Sequence, residues 1–320
     1  MRIILQAGVL NAAMAVAAFA QSPHNGLAEA RAAVLAGQAD HALTLLSSLP
    51  ESAETHNLAC RLQLTLKQWD TAVNECELAV RMESGNSDYH LWLGRAIGSK
   101  AERASFLSAY SLAKRARVEF ETAVRLNPRN AEALADLGEF YSTAPVIVGG
   151  GNDKAQSIAQ ELDRVDPARA HELRARIAEE KKDYTTAERE FKAAITSSQH
   201  PAFQWMTLAS FYSRRSRWTD LDYAIQSGVK AAQHDPHAGV ALYDGASLLL
   251  RIKRNPELAE KMMWEYLNSS SKTDEAPAFE ALTRLALLKA QVGDMAGAKQ
   301  ARESALSLAH NYKPAQDLKF

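Results

Sequence analysis

Apolar and small residues recur along the chain with the spacing of paired helices, and the clearest stretch runs from Ala116 to Tyr141. There, large apolar side chains fall three or four residues apart, so they share one helix face. Small residues occupy the positions where two helices would approach most closely. The anchor positions of this stretch are Ala116, Phe120, Ala123, Pro128, Leu134, Leu137, Gly138 and Tyr141. No run of the sequence alternates apolar and polar residues between hairpin turns, so the pattern predicts an all-α protein.

Local signals predict where several helices begin and end. Pro128 has no backbone N–H and is expected to end the helix before it. Asn130 is suited to cap the next helix, and Glu132 follows in the first turn, where a carboxylate favours the helix dipole. Asp-Pro pairs begin at Asp166 and Asp235, and each predicts a capped helix start with proline at the first helical position.

The run AxxxFxxAxxxxP, followed directly by LxxLGxxY, resembles one unit of the tetratricopeptide repeat (TPR). Such a helix-turn-helix unit of about 34 residues cannot bury its apolar face alone, so the resemblance implies a stack of units. We predict a right-handed α-solenoid of about eight units over residues 21–320, with degenerate outer units and the best match over residues 87–167. The alanines expected to open the second helix of each unit are Ala42, Ala72, Ala116, Ala155, Ala187, Ala224, Ala259 and Ala298.

Two insertions distinguish the chain from a generic repeat array. The third unit contains GRAxGxKAERAS from Gly94 to Ser105, and the fourth contains EFYxxAPxxVGGGxDKA from Glu139 to Ala155. Together with the segment Asn311–Leu318, these resemble a family of exported bacterial TPR proteins with AERAS-type and APxxVGGG-type insertions. The resemblance implies an exported solenoid without catalytic residues.

The glycine run of the second insertion, Gly149, Gly150 and Gly151, has two interpretations. Its backbone N–H groups could face an anion, assisted by the dipole of a helix that starts near Asp153. Alternatively, the glycines form a loop that folds back over the helix ends. The run is not a phosphate-binding P-loop, because no strand precedes it and the GxxxxGK[ST] spacing is absent.

The first twenty residues have the pattern of a signal peptide. Arg2 precedes an apolar stretch over residues 3–20, and Ala18-Phe19-Ala20 matches the small-x-small pattern of a signal-peptidase site. We predict cleavage after Ala20 and an exported protein, periplasmic or extracellular, with no stable membrane span. A retained anchor is the alternative, although the stretch is short for a span and two polar residues interrupt it.

The two cysteines fall in the partner helices of the second unit. Antiparallel packing could bring Cys60 near Cys76, and an exported protein permits a disulfide. The alternative is two buried thiols that pack as small hydrophobic side chains.

The near-zero net charge argues against a nucleic-acid binder, and the lack of catalytic motifs argues against an enzyme. The chain has 37 basic and 38 acidic residues, a formal net charge of −1. No HExxH or GxSxG motif occurs, and His234 and His237 flank a helix start in a way that suits a cap better than a metal. The helix carboxylates are expected to face solvent; they are Glu179, Glu180, Glu188 and Glu190. We expect no catalytic residue, cofactor or metal.

The remaining function is binding, for which the solenoid supplies a concave groove. In a TPR array the residue after the small position of each first helix points into this groove, while Trp92 is expected to pack between helices. The groove row is Arg61, Arg95, Glu139, Arg176 and Ser210. Its mixed charge does not reproduce the lysine and asparagine clamp of chaperone-tail TPR domains, and it suits a protein or peptide segment.

We therefore expect a non-enzymatic exported scaffold or adaptor that binds such a segment in its groove. The alternative is a structural or assembly component of an envelope complex that self-associates or docks and has no soluble ligand. The pattern does not predict the oligomeric state.

Overall fold

The computed structural model describes residues 23–320, and the predicted signal peptide, residues 1–20, lies outside them. The described chain is helical throughout, with seventeen α-helices, a short 3₁₀ turn at Val146–Val148 and no strand. The helices are α1 Pro23–Leu35, α2 Ala39–Ser48, α3 Ala53–Thr65, α4 Trp69–Met82, α5 Ser87–Ala101, α6 Phe106–Leu126, α7 Ala131–Thr143, α8 Asn152–Leu162, α9 Pro167–Glu180, α10 Tyr184–Ser197, α11 Pro201–Arg214, α12 Trp218–Ala232, α13 Gly239–Ile252, α14 Pro256–Asn268, α15 Ala278–Gln291, α16 Met295–Leu308 and α17 Lys313–Gln316.

Consecutive helices pack as eight hairpins, from α1 with α2 to α15 with α16, and the short α17 covers the last hairpin. Every predicted second-helix alanine lies in an even-numbered helix and is buried, because the two backbones approach too closely there for a larger side chain. The prediction of an α-solenoid of about eight helical hairpins is confirmed.

Odd-numbered helices contact one another from hairpin to hairpin over most of the array, for example α3 with α5 and α13 with α15. They form the inner layer of the solenoid. We call the face that they turn away from the even-numbered helices the inner surface, and it is the face on which the predicted groove row lies.

Two of the three predicted helix starts are correct. The Asn130 side chain accepts the N–H of Ala133 at 3.1 Å and caps α7, and Asp166 accepts the N–H of Arg169 at 3.1 Å at the start of α9. The start predicted at Asp235 is wrong, because α13 begins only at Gly239.

The Asp235 side chain forms a turn instead of a cap. It accepts the N–H of His237 at 2.8 Å and lies 2.7 Å from Nδ1 of His200 on the preceding hairpin. An aspartate that binds the backbone two residues ahead stabilises a turn, so the chain bends before the helix can begin.

The third hairpin, which contains the first insertion, has a long second helix. Helix α6 has 21 residues, whereas α4 has 14, so at 1.5 Å per residue it is roughly 10 Å longer. At its N-terminus Phe106 is 86% exposed and Leu107 is 80% exposed. The third hairpin therefore ends in an apolar tip in contact with solvent.

The two ends of the array pack against each other. Backbone and side chain of His310 bind the Asp40 carboxylate at 2.9 and 2.8 Å, and Lys67 lies 3.5 Å from Glu280. One apolar cluster includes residues of both ends; its buried members are Ala30, Ala33, Val34, Ala39, Ala42, Leu58, Leu62, Leu66, Phe279, Ala305, Ala309, Tyr312 and Ala315. The solenoid is thus closed, and its inner surface faces an interior instead of an open groove.

A glycine permits the closest approach at this junction. Gly37 has a φ of +70°, which favours glycine, and a Cβ there would overlap the backbone nitrogen of Ala278. The turn after α1 can therefore press directly against the start of α15.

Candidate functional site

The structure places the predicted groove residues on five successive odd-numbered helices, one in each of α3, α5, α7, α9 and α11; they are Arg61, Arg95, Glu139, Arg176 and Ser210. Neighbours in the row interact, since Nη1 of Arg176 lies 3.4 Å from the Glu139 carboxylate. Because the array is closed, side chains from the C-terminal half of the chain contact this row in two regions.

The first region is the arginine–tryptophan cluster, which consists of Arg61, Trp92 and Arg95. Both guanidinium groups lie over the Trp92 ring, each 4.6 Å from its centroid. Trp92 is only 8% exposed, and its ring holds the two arginines of neighbouring hairpins at a fixed separation. The cluster therefore presents two cations on a rigid support.

Two carboxylates of α7 and one of the loop between α14 and α15 surround Arg95. Its Nε donates to Asp136 at 2.6 Å, its Nη2 to Glu132 at 3.1 Å and its Nη1 to Glu275 at 3.1 Å. Burial alone would lower the pKa of Arg95, but the surrounding carboxylates, Asp136 first, raise it above its usual value. Arg95 is thus permanently charged and fully occupied in this conformation.

Arg61 has a different partner. Its Nε donates to Asp274 at 2.5 Å, and the Asp274 side chain is 6% exposed. Asp274 and Glu275 both belong to the loop between α14 and α15, so one short acidic segment binds both arginines of the cluster.

The second region is the arginine pocket, an open pocket of about 580 Å³ lined by α9, α11, α13 and α15. Four arginines, one from each helix, and one carboxylate define its polar lining, together with the predicted groove residue Ser210. These residues are Arg176, Ser210, Arg214, Asp244, Arg251 and Arg284. Leu248 and Leu287 contribute apolar surface.

Three of the four pocket arginines have carboxylate partners at the rim. Arg214 binds Glu179 in a bidentate pair at 2.8 and 2.7 Å, and Nη2 of Arg284 donates to Glu280 at 2.9 Å. Arg251 is exposed, and no ion pair within the described chain includes it. The pocket therefore has a cation available to an added anion.

Asp244 is one of the residues that line this pocket, and its side chain is exposed to water although protein groups surround it. Burial raises the pKa of Asp244 to about 6, and the neighbouring Arg284 opposes the rise only in part. The carboxylate gains a proton as the pH falls through about 6, and the pocket then becomes more positive.

The expectation that the helix carboxylates face solvent is wrong for three of the four. Glu180 is exposed, but Glu179, Glu188 and Glu190 are largely covered. Glu179 and Glu188 bind arginines of the next hairpin, and Glu190 binds His171 of its own hairpin. Partial burial would raise the pKa of Glu188, but hydrogen bonds from Arg217, Lys192 and Tyr212 lower it to about 2. These carboxylates stabilise the stack and do not form an acid–base pair.

Cys60 and Cys76 lie opposite each other in α3 and α4, with a Cα–Cα distance of 5.2 Å and their Sγ atoms bonded. Both side chains are completely buried. The bond joins the two helices of the second hairpin directly behind Arg61, so it supports the arginine–tryptophan cluster.

The three glycines of the insertion loop use their N–H groups within the loop. Gly149 donates to Val146 at 2.9 Å, Gly150 to Pro145 at 3.2 Å and Gly151 to Tyr141 at 2.8 Å. Since no N–H of the run is left for an anion, the geometry favours a loop that folds over the end of α7.

Within residues 26–320, no group of three or more His, Cys, Asp or Glu side chains is placed to hold a metal ion. His237 packs edge-on against His200 with ring centroids 5.7 Å apart, while the Asp235 turn lies between the hairpins.

In the described part of the chain, no helix is both long enough and apolar enough to cross a membrane.

The sequence interpretation missed Arg214, Arg251, Asp274 and Glu275. Arg214 stands four residues after Ser210, one helical turn along the same face, so extending the groove row by one turn would have found it, whereas Arg251 lies on a helix that the row does not include. The two acidic residues lie in a loop, and only closure of the array brings them to the arginines.

No family model matches the sequence, and no curated protein matches it significantly. Among solved structures, a thermophilic TPR protein from Thermus thermophilus is 19% identical with a TM-score of 0.50, over 59% of this chain and 98% of that chain. MamA from Desulfovibrio magneticus is 13% identical with a TM-score of 0.38, over 58% and 98%. YrrB, described as a TPR protein with an unusual peptide-binding site, is 13% identical with a TM-score of 0.37, over 62% and 95%. The first of these similarities shows that the chain has the fold of TPR proteins.

Proposed function

We propose that the protein is a non-enzymatic scaffold that binds a carboxylate-bearing segment of another protein at its inner surface. The observation that carries the proposal is the convergence of Arg176, Arg214, Arg251 and Arg284 on one open pocket. Guanidinium groups bind carboxylates through paired N–H donors, so this pocket suits an acidic side chain or a chain terminus.

A protein segment suits the surface better than a small molecule. The pocket is open and mixed in polarity, and the inner surface continues past Glu139 to the arginine–tryptophan cluster. An extended chain can reach several such points, each with a few ion pairs and apolar contacts, whereas a compact ligand would contact only one.

Export belongs to the same proposal. Residues 1–20 have the pattern of a signal peptide, and the bond between Cys60 and Cys76 is of a kind that persists in oxidising compartments. We place the protein in the periplasm or outside the cell, with a partner from the same compartment.

Affinity capture from an envelope extract tests the proposal. The bait is the mature chain with the double substitution Arg176→Glu and Arg251→Glu, compared with the unchanged chain. Arg189→Glu is the matched control, because Arg189 is exposed on α10, outside the pocket. We expect the pocket variant to lose partners that the unchanged chain and the control retain. Partners retained equally by all three would exclude binding in the pocket.

A second candidate function is self-association in an envelope assembly, and the apolar tip of the third hairpin favours it. Phe106 and Leu107 are exposed there, and Val146 and Ile147 of the second insertion are exposed on the neighbouring loop. Light scattering over a range of concentrations separates the candidates. A molecular mass that rises with protein concentration would support assembly if the double substitution Phe106→Ser and Leu107→Ser returns it to the mass of a monomer. A mass that stays that of a monomer at every concentration would exclude self-association.

A further inference from the structure

The loop between α14 and α15, which we call the acidic loop, covers residues 269–277 and contains no helix or strand. Its tip, Thr273 to Glu275, lies against the inner surface of the second and third hairpins, some two hundred residues earlier in the chain. Asp274 binds Arg61 and Glu275 binds Arg95, so two adjacent carboxylates contact two arginines held by one tryptophan ring.

We propose that the arginine–tryptophan cluster is a second binding site for an acidic segment of a partner protein that carries two neighbouring carboxylates, and that the acidic loop occupies it as an intramolecular competitor. This rests on the proposed function only in that both concern the inner surface. The ligand chemistry is shown by the loop itself: two neighbouring carboxylates on a turn, which the N–H of Ala276 closes by donating to the carbonyl of Thr273 at 3.3 Å.

Several contacts indicate that the tip can leave while the loop ends stay in place. The ends are anchored elsewhere, since Tyr266 donates its hydroxyl to the carbonyl of Ala276 and Ser271 accepts the N–H of Gly239 at 3.0 Å. Only the tip depends on the cluster. Release therefore needs a change over a few residues and no unfolding of α14 or α15.

The tip also fits the cluster incompletely. The hydroxyl of Thr273 is buried without a hydrogen-bond partner, and a buried polar group left unpaired costs free energy. Glu275 is 57% exposed and adds a third carboxylate to Arg95, which Asp136 and Glu132 already neutralise. Partial desolvation and the charges of Glu132, Asp274 and Asp136 raise the pKa of Glu275 despite the attraction of Arg95. A partner segment with better-placed groups could displace the tip.

A tethered competitor has a defined effect on binding. A segment joined to its site by a short loop acts at an effective concentration in the millimolar range. An added peptide of the same sequence should therefore bind poorly while the tip is in place and much better once the tip is removed.

The experiment uses a fluorescein-labelled peptide with the sequence of residues 269–277 and measures its binding to the full mature chain by fluorescence anisotropy. In the displaced variant, Asp274→Lys with Glu275→Lys, like charges face Arg61 and Arg95 and expel the tip. We expect the peptide to bind this variant at least tenfold more tightly than the unchanged chain. If the lysine variant does not fold, the variant Asp274→Asn with Glu275→Gln replaces it, and we expect the same tenfold tighter binding of the peptide.

Two controls identify the site. A peptide with asparagine and glutamine in place of the two acids should not bind, and adding Arg61→Ala and Arg95→Ala to the displaced variant should abolish binding of the acidic peptide. Equal binding to the displaced and unchanged chains, or no binding to a folded displaced variant, would overturn the inference. Neither result depends on the arginine pocket, so the proposed function is judged separately by the Arg176 and Arg251 substitutions.

Discussion

Among single side chains, the balance between arginines and carboxylates determines what the inner surface can bind. Most of its cations already have partners, such as Arg176 with Glu139 and Arg214 with Glu179. Arg251 has none within the described chain, and Asp244 makes no hydrogen bond there. An added carboxylate would complete this arrangement without first breaking an ion pair at Arg251.

Asp244 should lower the stability of the fold at neutral pH. Its pKa is raised by burial to about 6 in the folded chain, above the ordinary value of 3.8. The folded state therefore holds the proton more tightly, and the stabilisation present below about pH 4 is lost as the pH rises through about 6. We expect Asp244→Asn to raise the melting temperature at pH 8 and to change it little at pH 4. An equal shift at both values would contradict this assignment.

At the level of helices and loops, local bonds stabilise two parts of the chain. These parts are the second hairpin and the insertion loop after α7. The disulfide joins α3 to α4, and backbone hydrogen bonds of the glycine run close the loop. The disulfide is buried between its two helices, and the insertion loop packs against α6. Both can be tested without knowledge of any ligand.

The disulfide should be present in the purified, unreduced protein and should stabilise it. Cys60 and Cys76 are 16 residues apart, and closing a loop of that size contributes about 3 kcal/mol in the chain-entropy account. Thiol titration of the unreduced, denatured mature chain should detect no free thiol, and reductant should lower its melting temperature. The variant Cys60→Ala with Cys76→Ala should not respond to reductant. Two reactive thiols in the unreduced chain would rule the bond out.

The insertion loop should tolerate alanine at one glycine and not at its neighbour. A Cβ at Gly150 would overlap the carbonyl oxygen of Ala144, whereas a Cβ at Gly151 meets no atom within 4 Å. We expect Gly150→Ala to cost roughly 1–3 kcal/mol in chemical denaturation, and Gly151→Ala to be close to neutral. Equal stability of the two variants would favour an exposed loop with a role in binding.

At the scale of the whole molecule, contact between the two ends closes the repeat array, so that its inner surface faces an interior. The last hairpins contribute Asp274, Glu275 and Glu280 to the region formed by the first three. We therefore expect the proposed binding at the inner surface to depend on the junction of the two ends.

The junction itself can be tested with a pair of glycines that share a backbone conformation. Gly37 and Gly293 have φ values of +70° and +85°, so alanine is strained at both, but only Gly37 packs against another hairpin, at Ala278. We expect Gly37→Ala to lower the melting temperature more than Gly293→Ala and to increase the radius of gyration in small-angle scattering. The junction would be judged unimportant if the two variants behaved alike.

The repeat register could be predicted because its signals are local. The spacing around Ala116 and the small residue before Glu139 depend only on neighbouring residues, and so does the cap at Asn130. Closure could not be predicted, because it results from small rotations that add up over eight hairpins. The helix start at Asp235 failed for a related reason, since a contact with His200 of another hairpin takes part in its turn. Of the site, the row of first-helix residues was predictable, but the acidic loop was not.

Site-specific photo-crosslinking tests the central claim, binding of a protein segment at the inner surface, most directly. A photoreactive amino acid replaces Ser210 in the arginine pocket, and in a matched variant it replaces Tyr223, which is 64% exposed on α12. Irradiation in the producing cells should link a partner protein to position 210 and not to position 223. A partner linked only to position 223 would contradict the account.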